Sequence, residues 1–508
     1  MVDSGRASRR ATISVRSTNL RQRLACALLV LLVGCNGGGD DDGTIAPTAP
    51  YARAPIVLIS LDTLRADAVS GFGAAPGVTP NLAAFAADAV GFETAIAASH
   101  HTAPSHASML TGFSPFVHGV AIGTQRKLWR IPDSLPTLAE VLQDAGYATV
   151  GFTDGVQLLP DNGFARGFDT YDHRTISLDG KLDDISAWLG EHGEQPFFMF
   201  AHTYRAHQPY RAPSDLVRPL IADYDGVYKQ ATIDVAELTH SAVMGSGPDR
   251  DHTAYNKLSG KRAKTDEDRA FLRELYMAGV TGTDREFQRF LDVLDEHGVL
   301  ERAIVVVTSD HGEAFFEHGL DSHYDVFDEV LRVPLLVRLP GGAGGGRRVA
   351  ESMPSVNLVP TLLDLVGAES PVPAEGRSVA RVLTGGSIPD EPAFAAWWAS
   401  GNQWPSGAAA RTLRYKRINA PWVKGAYPGY RSVSPVGFFD IEADPTEQDN
   451  RAAEGSTEFQ RLGEALADAQ RRWRALRRLY GTEAGTAAPM SDEQAEALKA
   501  IGYMGEDR

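Results

Sequence analysis

Five short apolar runs, at residues 55–61, 148–152, 197–201, 303–307 and 333–339, restrict the fold of this chain more than any other feature. Each is short for a helix and lacks the polar alternation of a half-exposed strand. Such runs read as strands buried on both faces. Helical patterns fill the gaps. One covers 80–90, with Thr79 as its cap ahead of Pro80, and another covers 136–145, closed by Gly146. A long one covers 269–297, carries Phe287, Phe290, Leu291 and Leu294, and stops at Gly298. Strands alternating with helices imply an α/β fold with a mostly parallel sheet covered on both sides. In open sheets of this kind ligands collect beyond the carboxyl ends of the strands. Polar residues follow several of the runs at that end: Asp62, Asp154, His202 and the pair Asp310-His311. Carboxylates and imidazoles grouped there make a rim able to hold a metal ion.

A second stretch offers a nucleophile. Thr102-Ala103-Pro104-Ser105-His106-Ala107-Ser108-Met109-Leu110-Thr111-Gly112 leads from small hydroxyl residues into an apolar helical start. Pro104 fits the first helical position, where the N–H it lacks is unpaired anyway. Thr102 is then expected just ahead of the helix. The first-turn N–H groups and the helix dipole favour an anion at that end. A hydroxyl held there attacks phosphorus or sulfur once its pKa is lowered. The same residues also make an ordinary capped helix, so local sequence leaves both readings open.

The stretch resembles the signature of the sulfatase family, within the alkaline-phosphatase-like superfamily. That pattern is Cys or Ser, any residue, Pro, Ser, Arg, three residues, Leu or Met, Thr, Gly. Thr102 stands at the nucleophile position and His106 at the Arg position, while Pro104, Ser105, Met109, Thr111 and Gly112 match. The resemblance runs from Ile56 to Tyr503, anchored also by Asp62, Thr308-Ser309-Asp310-His311-Gly312-Glu313 and Arg332-Val333-Pro334-Leu335. It implies a mostly parallel sheet flanked by helices, with a smaller C-terminal subdomain that contains a short antiparallel sheet. It also implies a metal-dependent hydrolase of sulfate or phosphate esters. A phosphodiesterase, phosphonate-ester hydrolase or headgroup phosphotransferase of the same superfamily is the alternative enzyme, and a catalytically silent surface binding protein the alternative of another class.

Departures from the pattern bear on the chemistry. The usual sulfatase oxidises its signature Cys to formylglycine. Thr102 cannot follow that route, so no formylglycine is expected. Family members bind one Ca²⁺ through paired Asp after the first strand and a late Asp-Asn pair. Here the pairs read Asp62-Thr63 and Asp310-His311. The resemblance therefore implies a metal set of Asp62, Thr102, Asp310 and His311, with Ca²⁺ by family and Mn²⁺ or Zn²⁺ suited to the imidazole. It places His207 and His323 as general acid or anion contacts. His106, His202 and His318 read as structural, or as ligands of a second metal or of substrate. The sulfate-binding Gly-Lys-Trp-His run of many sulfatases is absent, since this chain reads Gly151-Phe152-Thr153-Asp154-Gly155. With the Thr and the Asp-His pair, this leans the chemistry toward phosphorus.

The N-terminus reads as a leader. Six Arg precede a short apolar run ending in Leu32-Val33-Gly34-Cys35, which resembles a bacterial lipobox. Residues 1–34 are the expected signal peptide, Cys35 the lipid attachment point, and 35–54 a flexible tether. The protein is then exported and held on the cell envelope, with the outer membrane favoured. Loss of the leader's six Arg and Asp3 takes the net charge from −16 to −21. That argues against nucleic acid as a partner, and an anionic ester on a small molecule, glycan or lipid headgroup must be drawn by local charge. The catalytic domain is expected over 55–370, with a variable, mobile insertion at 211–268. A C-terminal subdomain is expected over 371–508, with strands near 393–398, 412–418 and 437–441. Its basic helix over 459–479 reads as a solvated face, and a last helix is capped by Ser491 and Gln494.

Overall fold

The computed structural model describes residues 49–121, 127–236, 257–398, 404–420, 436–485 and 487–489. The leader, Cys35 and the helix expected behind Ser491 lie outside these residues. Eight strands make the main sheet: β1 (Ile56–Leu61), β2 (Val90–Ile96), β3 (Ala148–Phe152), β4 (Thr170–Asp172), β5 (Phe197–Thr203), β6 (Ile304–Thr308), β7 (Arg332–Arg338) and β8 (Arg348–Pro354). Their order in space is β8-β2-β7-β6-β1-β5-β3-β4. Neighbours run parallel except at β7, which is antiparallel to both β2 and β6. All five apolar runs are strands, and β1 lies between β5 and β6 with every residue buried.

The long helical elements are α1 (Pro80–Ala87), α2 (Thr102–Thr111), α3 (Leu138–Asp144), α4 (Leu182–His192), α5 (Ser214–Ala222), α6 (Lys229–Ala236), α7 (Asp266–Glu296), α8 (Leu358–Val366) and α9 (Thr457–Tyr480). They cover both faces of the sheet, and β1 shows how. Val57 and Ile59 pack toward Leu82 and Phe85 of α1, Ile185 of α4 and Phe290 of α7. Ile56 and Leu58 face the other way, toward Ala107 of α2, Leu142 of α3 and Leu362 of α8. This is the two-residue period of a strand with a helical layer on each side.

Several local expectations shift. The helix expected over 80–90 stops at Ala87, because Val90 and Phe92 belong to β2 and pack in the sheet core. Thr79 does not cap α1 with its side chain; its hydroxyl accepts the Ser70 N–H at 2.7 Å. Pro104 is not the first helical residue. Thr102 is, with His101 as N-cap, so the helix opens two residues earlier. Within 211–268 the described part is not a loose insertion. Tyr224 stacks on Phe271 of α7 at 3.9 Å and Tyr228 is buried beside it. The end of the expected tether is also fixed, since the Tyr51 N–H donates to the Leu365 carbonyl at 3.0 Å.

Beyond α8 a second sheet forms from β9 (Ala393–Trp397), β10 (Gly407–Arg411), β11 (Tyr415–Asn419) and β12 (Val436–Asp440), all antiparallel in sequence order. Helix α9 buries Leu462, Leu466, Ala469 and Trp473 against this region, with Trp473 stacked on Phe116 at 3.9 Å. Most of its arginines face solvent, but Arg477 lies over the Trp404 ring at 4.4 Å. A buried ion cluster ties the second sheet to the stretch ahead of β7. Lys416 Nζ is 2.8 Å from Asp328 Oδ1 and 2.9 Å from Glu447 Oε1, while Arg411 reaches Asp328 Oδ2 at 3.1 Å.

Candidate active site

Strand register assembles the site. Ser60 of β1 pairs with His202 of β5 on one side and with Thr308 of β6 on the other. The residues just past these positions, Asp62 and Asp310-His311, therefore emerge side by side. Five residues separate helix α2 from β2, and the helix points its first residue, Thr102, into the same corner. Thr102 Oγ1 is 3.4 Å from Asp62 Oδ2 and 3.4 Å from His311 Nε2. One ligand atom each from Asp62, Asp310 and His311 lies within 4.8 Å of the others, and all three residues are buried.

The electrostatics of this corner suit a cation. Asp62 Oδ1 and Asp310 Oδ2 are buried and accept no hydrogen bond. Burial and the neighbouring Asp310 charge push Asp62 well above the usual carboxylate range. Burial presses Asp310 the same way, but the imidazoles of His311, His106 and His202 outweigh it and hold Asp310 low. Two such carboxylates repel unless a proton or a metal ion lies between them. His311 Nδ1 is 2.9 Å from the Gly312 carbonyl. A proton on that nitrogen leaves Nε2 with its lone pair toward Thr102, the form that binds metal. Burial keeps His311 neutral, with its pKa down to about 4.

Thr63 does not replace the missing second Asp. Its hydroxyl donates back to the Asp62 carbonyl at 2.7 Å, and its backbone sits at φ 57°. A Thr in the left-handed region is strained and needs support from its surroundings. The Thr63 N–H donates to Asp310 Oδ1 at 3.3 Å and the Tyr276 hydroxyl donates to the Thr63 carbonyl at 2.9 Å.

The two expected proton carriers come close to the cluster. The His323 ring lies 4.4 Å from His311 and 5.4 Å from His207, centre to centre. His207 Nδ1 is 2.7 Å from the Gln208 carbonyl, and its Nε2 is buried without a partner. His323 Nδ1 is 3.3 Å from Glu313 Oε1. Burial lowers both imidazoles to about 4.

The remaining histidines divide. His202 Nε2 is 3.1 Å from Asp62 Oδ2 and its Nδ1 is 3.4 Å from the Asp154 N–H, so both nitrogens serve to orient groups of the site. His106 braces α2 against β1, with Nδ1 2.8 Å from the Thr102 carbonyl and Nε2 2.9 Å from Ser60 Oγ. His318 stacks on Phe327 at 3.6 Å and faces Glu329, contacts that belong to the neighbourhood of the ion cluster and not to the ligand cluster. Sequence reasoning passed over His100, His101 and Glu313. His101 caps α2 and its ring lies 5.3 Å from His323, while His100 Nδ1 is 2.8 Å from the His323 carbonyl. Two adjacent His directly before Thr102 were the available signal.

The stretch that carries this corner matches a known enzyme family. The sulfatase domain pattern matches residues 55–368, and the pattern for the C-terminal part of N-sulphoglucosamine sulphohydrolase matches 316–473. The chain belongs to the sulfatase family. It is 24% identical over 500 residues to an N-acetylglucosamine-6-O-sulfatase of Bacteroides thetaiotaomicron, covering 83% of this chain and 87% of the relative. It is 26% identical over 482 residues to an ulvan-active sulfatase of Formosa agariphila, covering 90% and 87%. Its fold matches the crystal structure of a phosphonate monoester hydrolase of Agrobacterium radiobacter with a TM-score of 0.63 and 21% identity, over 83% of this chain and 95% of that one.

Proposed function

We propose that this sulfatase-family hydrolase cleaves an anionic ester on a sugar or similar small molecule with the unmodified Thr102 hydroxyl as nucleophile, and that phosphorus is its preferred centre. The observation that carries the reading is the position of Thr102 Oγ1, 3.4 Å from both Asp62 Oδ2 and His311 Nε2. The orphaned oxygens of Asp62 and Asp310 fit a divalent ion held by Asp62, Asp310, His311 and Thr102. Such an ion lowers the hydroxyl pKa and offsets charge on the transferred group. The donor set, two carboxylates with an imidazole, suits Mn²⁺ or Zn²⁺ as well as Ca²⁺.

In the reaction, the Thr102 hydroxyl gives its proton to solvent as its oxygen bonds to phosphorus and the ester P–O bond breaks. The departing alkoxide takes a proton from His207 or His323. Both imidazoles are neutral when the site is empty, and an arriving anion raises them toward protonation. Water then attacks the Thr102 ester, the Thr102 O–P bond breaks, and the hydroxyl regains its proton. Thr102 carries a single hydroxyl, so release depends on this second attack. The phosphorus preference draws on that need, on the Asp310-His311 pair, and on the missing sulfate-binding Lys. The relatives' names favour sulfated sugars, which makes sulfate the competing centre.

Purified chain offered aryl sulfate, phosphate monoester, phosphodiester and phosphonate, each with Ca²⁺, Mn²⁺ or Zn²⁺, tests the reading. Fastest turnover at phosphorus that disappears in Thr102→Ala supports it. Sulfate release that survives Thr102→Ala overturns the nucleophile. Export and envelope attachment through Cys35 belong to the same proposal, and a mass spectrum of Cys35 without diacylglycerol would remove that part.

A further inference from the structure

The turn that presents His207 carries an arginine on each side of it. The His207 N–H closes the turn on the Tyr204 carbonyl at 3.0 Å, and the Tyr210 N–H closes the next one on the His207 carbonyl at 2.9 Å. Arg205 lies within the first turn, and Arg211 directly follows the second. Both are partly buried. The Arg205 side chain runs over α7 where the helix has Gly282; a Cβ there would lie 3.4 Å from Nε. Arg205 Nε is buried with no acceptor, and no ion pair among the described residues engages this side chain. Arg211 feels burial first and the like charge of Arg205 second, with Asp154 as the opposing attraction, and falls to about 10.

Asp154 ties this pair to the reaction centre. Its Oδ2 accepts the Tyr204 N–H at 3.1 Å, and its own N–H faces His202, which reaches Asp62. Arg205 and Arg211 thus flank the turn that holds a proposed proton carrier. Acids outnumber bases in this chain 65 to 49, yet none among the described residues pairs with Arg205. A partly desolvated cation without counter-charge, as Arg205 is, is costly, and guanidinium planes match carboxylate and sulfate oxygens two at a time. An acidic chain also needs local positive charge to receive an anionic substrate.

We propose that Arg205 and Arg211 form a subsite for a second anionic group on the substrate, a carboxylate or a further sulfate on the sugar that bears the scissile ester. This rests on the ester-hydrolase reading and narrows it to doubly charged sugars.

Calorimetry with Mn²⁺ present, in the Thr102→Ala background so that no ligand is consumed, compares glucosyl phosphate, glucuronyl phosphate and a sulfated glucosyl phosphate. Either doubly charged ligand is expected to bind at least tenfold tighter than glucosyl phosphate, and the tighter of the two identifies the second group. R205Q and R211Q should each remove most of that gain, and R205K should keep part of it. Equal affinity for all three ligands overturns the subsite without any arginine variant, so a misfolded variant does not block the answer. A gain that survives both substitutions overturns it as well. A tenfold gain in a chain that turns over no ester sinks the hydrolase reading and keeps the subsite; turnover without the gain does the reverse.

Discussion

Thr102 is the residue on which the proposed chemistry turns, and its surroundings set clear expectations. Thr102→Ala should lower kcat on the preferred ester on the order of a thousandfold or more, while Thr102→Ser should keep measurable turnover, because only a methyl group is lost. Steady-state kinetics on the two variants separates a nucleophile from a bystander. Asp310→Asn tests the ligand cluster. An ion present at a hundred times its Kd stabilises the folded state by about 2.7 kcal/mol. A chelator should therefore lower the melting temperature of the parent chain and leave that of Asp310→Asn unchanged, as thermal denaturation with and without added ion will show. At this scale the sequence was readable where polar residues followed apolar runs: Asp62, Asp310 and His311 do share one corner. His202 reads from sequence as structural, or as a ligand of a second metal or of substrate, and the structure engages both its nitrogens with Asp62 and Asp154. Glu313 lies within the Asp310-His311 motif, whose pattern assigns it no role. Its carboxyl, pushed up to about 7 by burial, gains meaning only through contact with His323, and such contacts are fixed by tertiary packing, which no local pattern reports.

Elements were legible in proportion to their periodicity. The strands from 56 to 61 and from 304 to 308 pack on both faces and announced themselves; α7, with its capping box at Thr265 and Asp268, was found to within a few residues. Strand β10, read Gly-Ala-Ala-Ala-Arg, has no β-branched or aromatic side chain and gave no signal. The direction of β7 was equally hidden, since an antiparallel strand buried on both faces has the same apolar run as a parallel one. The ion cluster joining β11 to Asp328 makes a prediction of its own. Lys416→Ala leaves Asp328 and Glu447 buried without their shared cation and should cost about 3–5 kcal/mol, measured by denaturant unfolding. Replacing Lys416, Asp328, Glu447 and Arg411 together by apolar residues of similar volume should cost far less, because the desolvation penalty goes with the charges.

For the whole molecule, acid sensitivity follows from its buried imidazoles. His118 accepts the Val120 N–H at Nδ1 and lies 3.0 Å from Ser108 Oγ through Nε2. His100 lies 2.8 Å from the His323 carbonyl through Nδ1 and accepts the Trp398 N–H at Nε2. Both are held neutral, and burial lowers each to about 3. The unfolded chain protonates these groups near 6.5 while the folded chain resists, so their contribution is complete above about pH 6.5 and is lost as the pH falls toward 3. Chemical denaturation at a series of pH values should show stability declining through that window, and His118→Gln should flatten the decline. Sulfatase membership and the layered α/β architecture could be read from the residues, whereas the arrangement of the second sheet against the first could not, because its contacts join segments with no shared pattern.

The reacting corner draws on positions 62, 102, 202 and 310, spread across most of the main sheet. A nascent chain therefore cannot assemble the proposed ion site until the segment carrying Asp310 has left the ribosome and slotted in beside β1. A fragment cut before that point would carry Thr102 and Asp62 without Asp310 and His311, so on the proposed chemistry catalytic competence arrives only after more than half of the chain has been made.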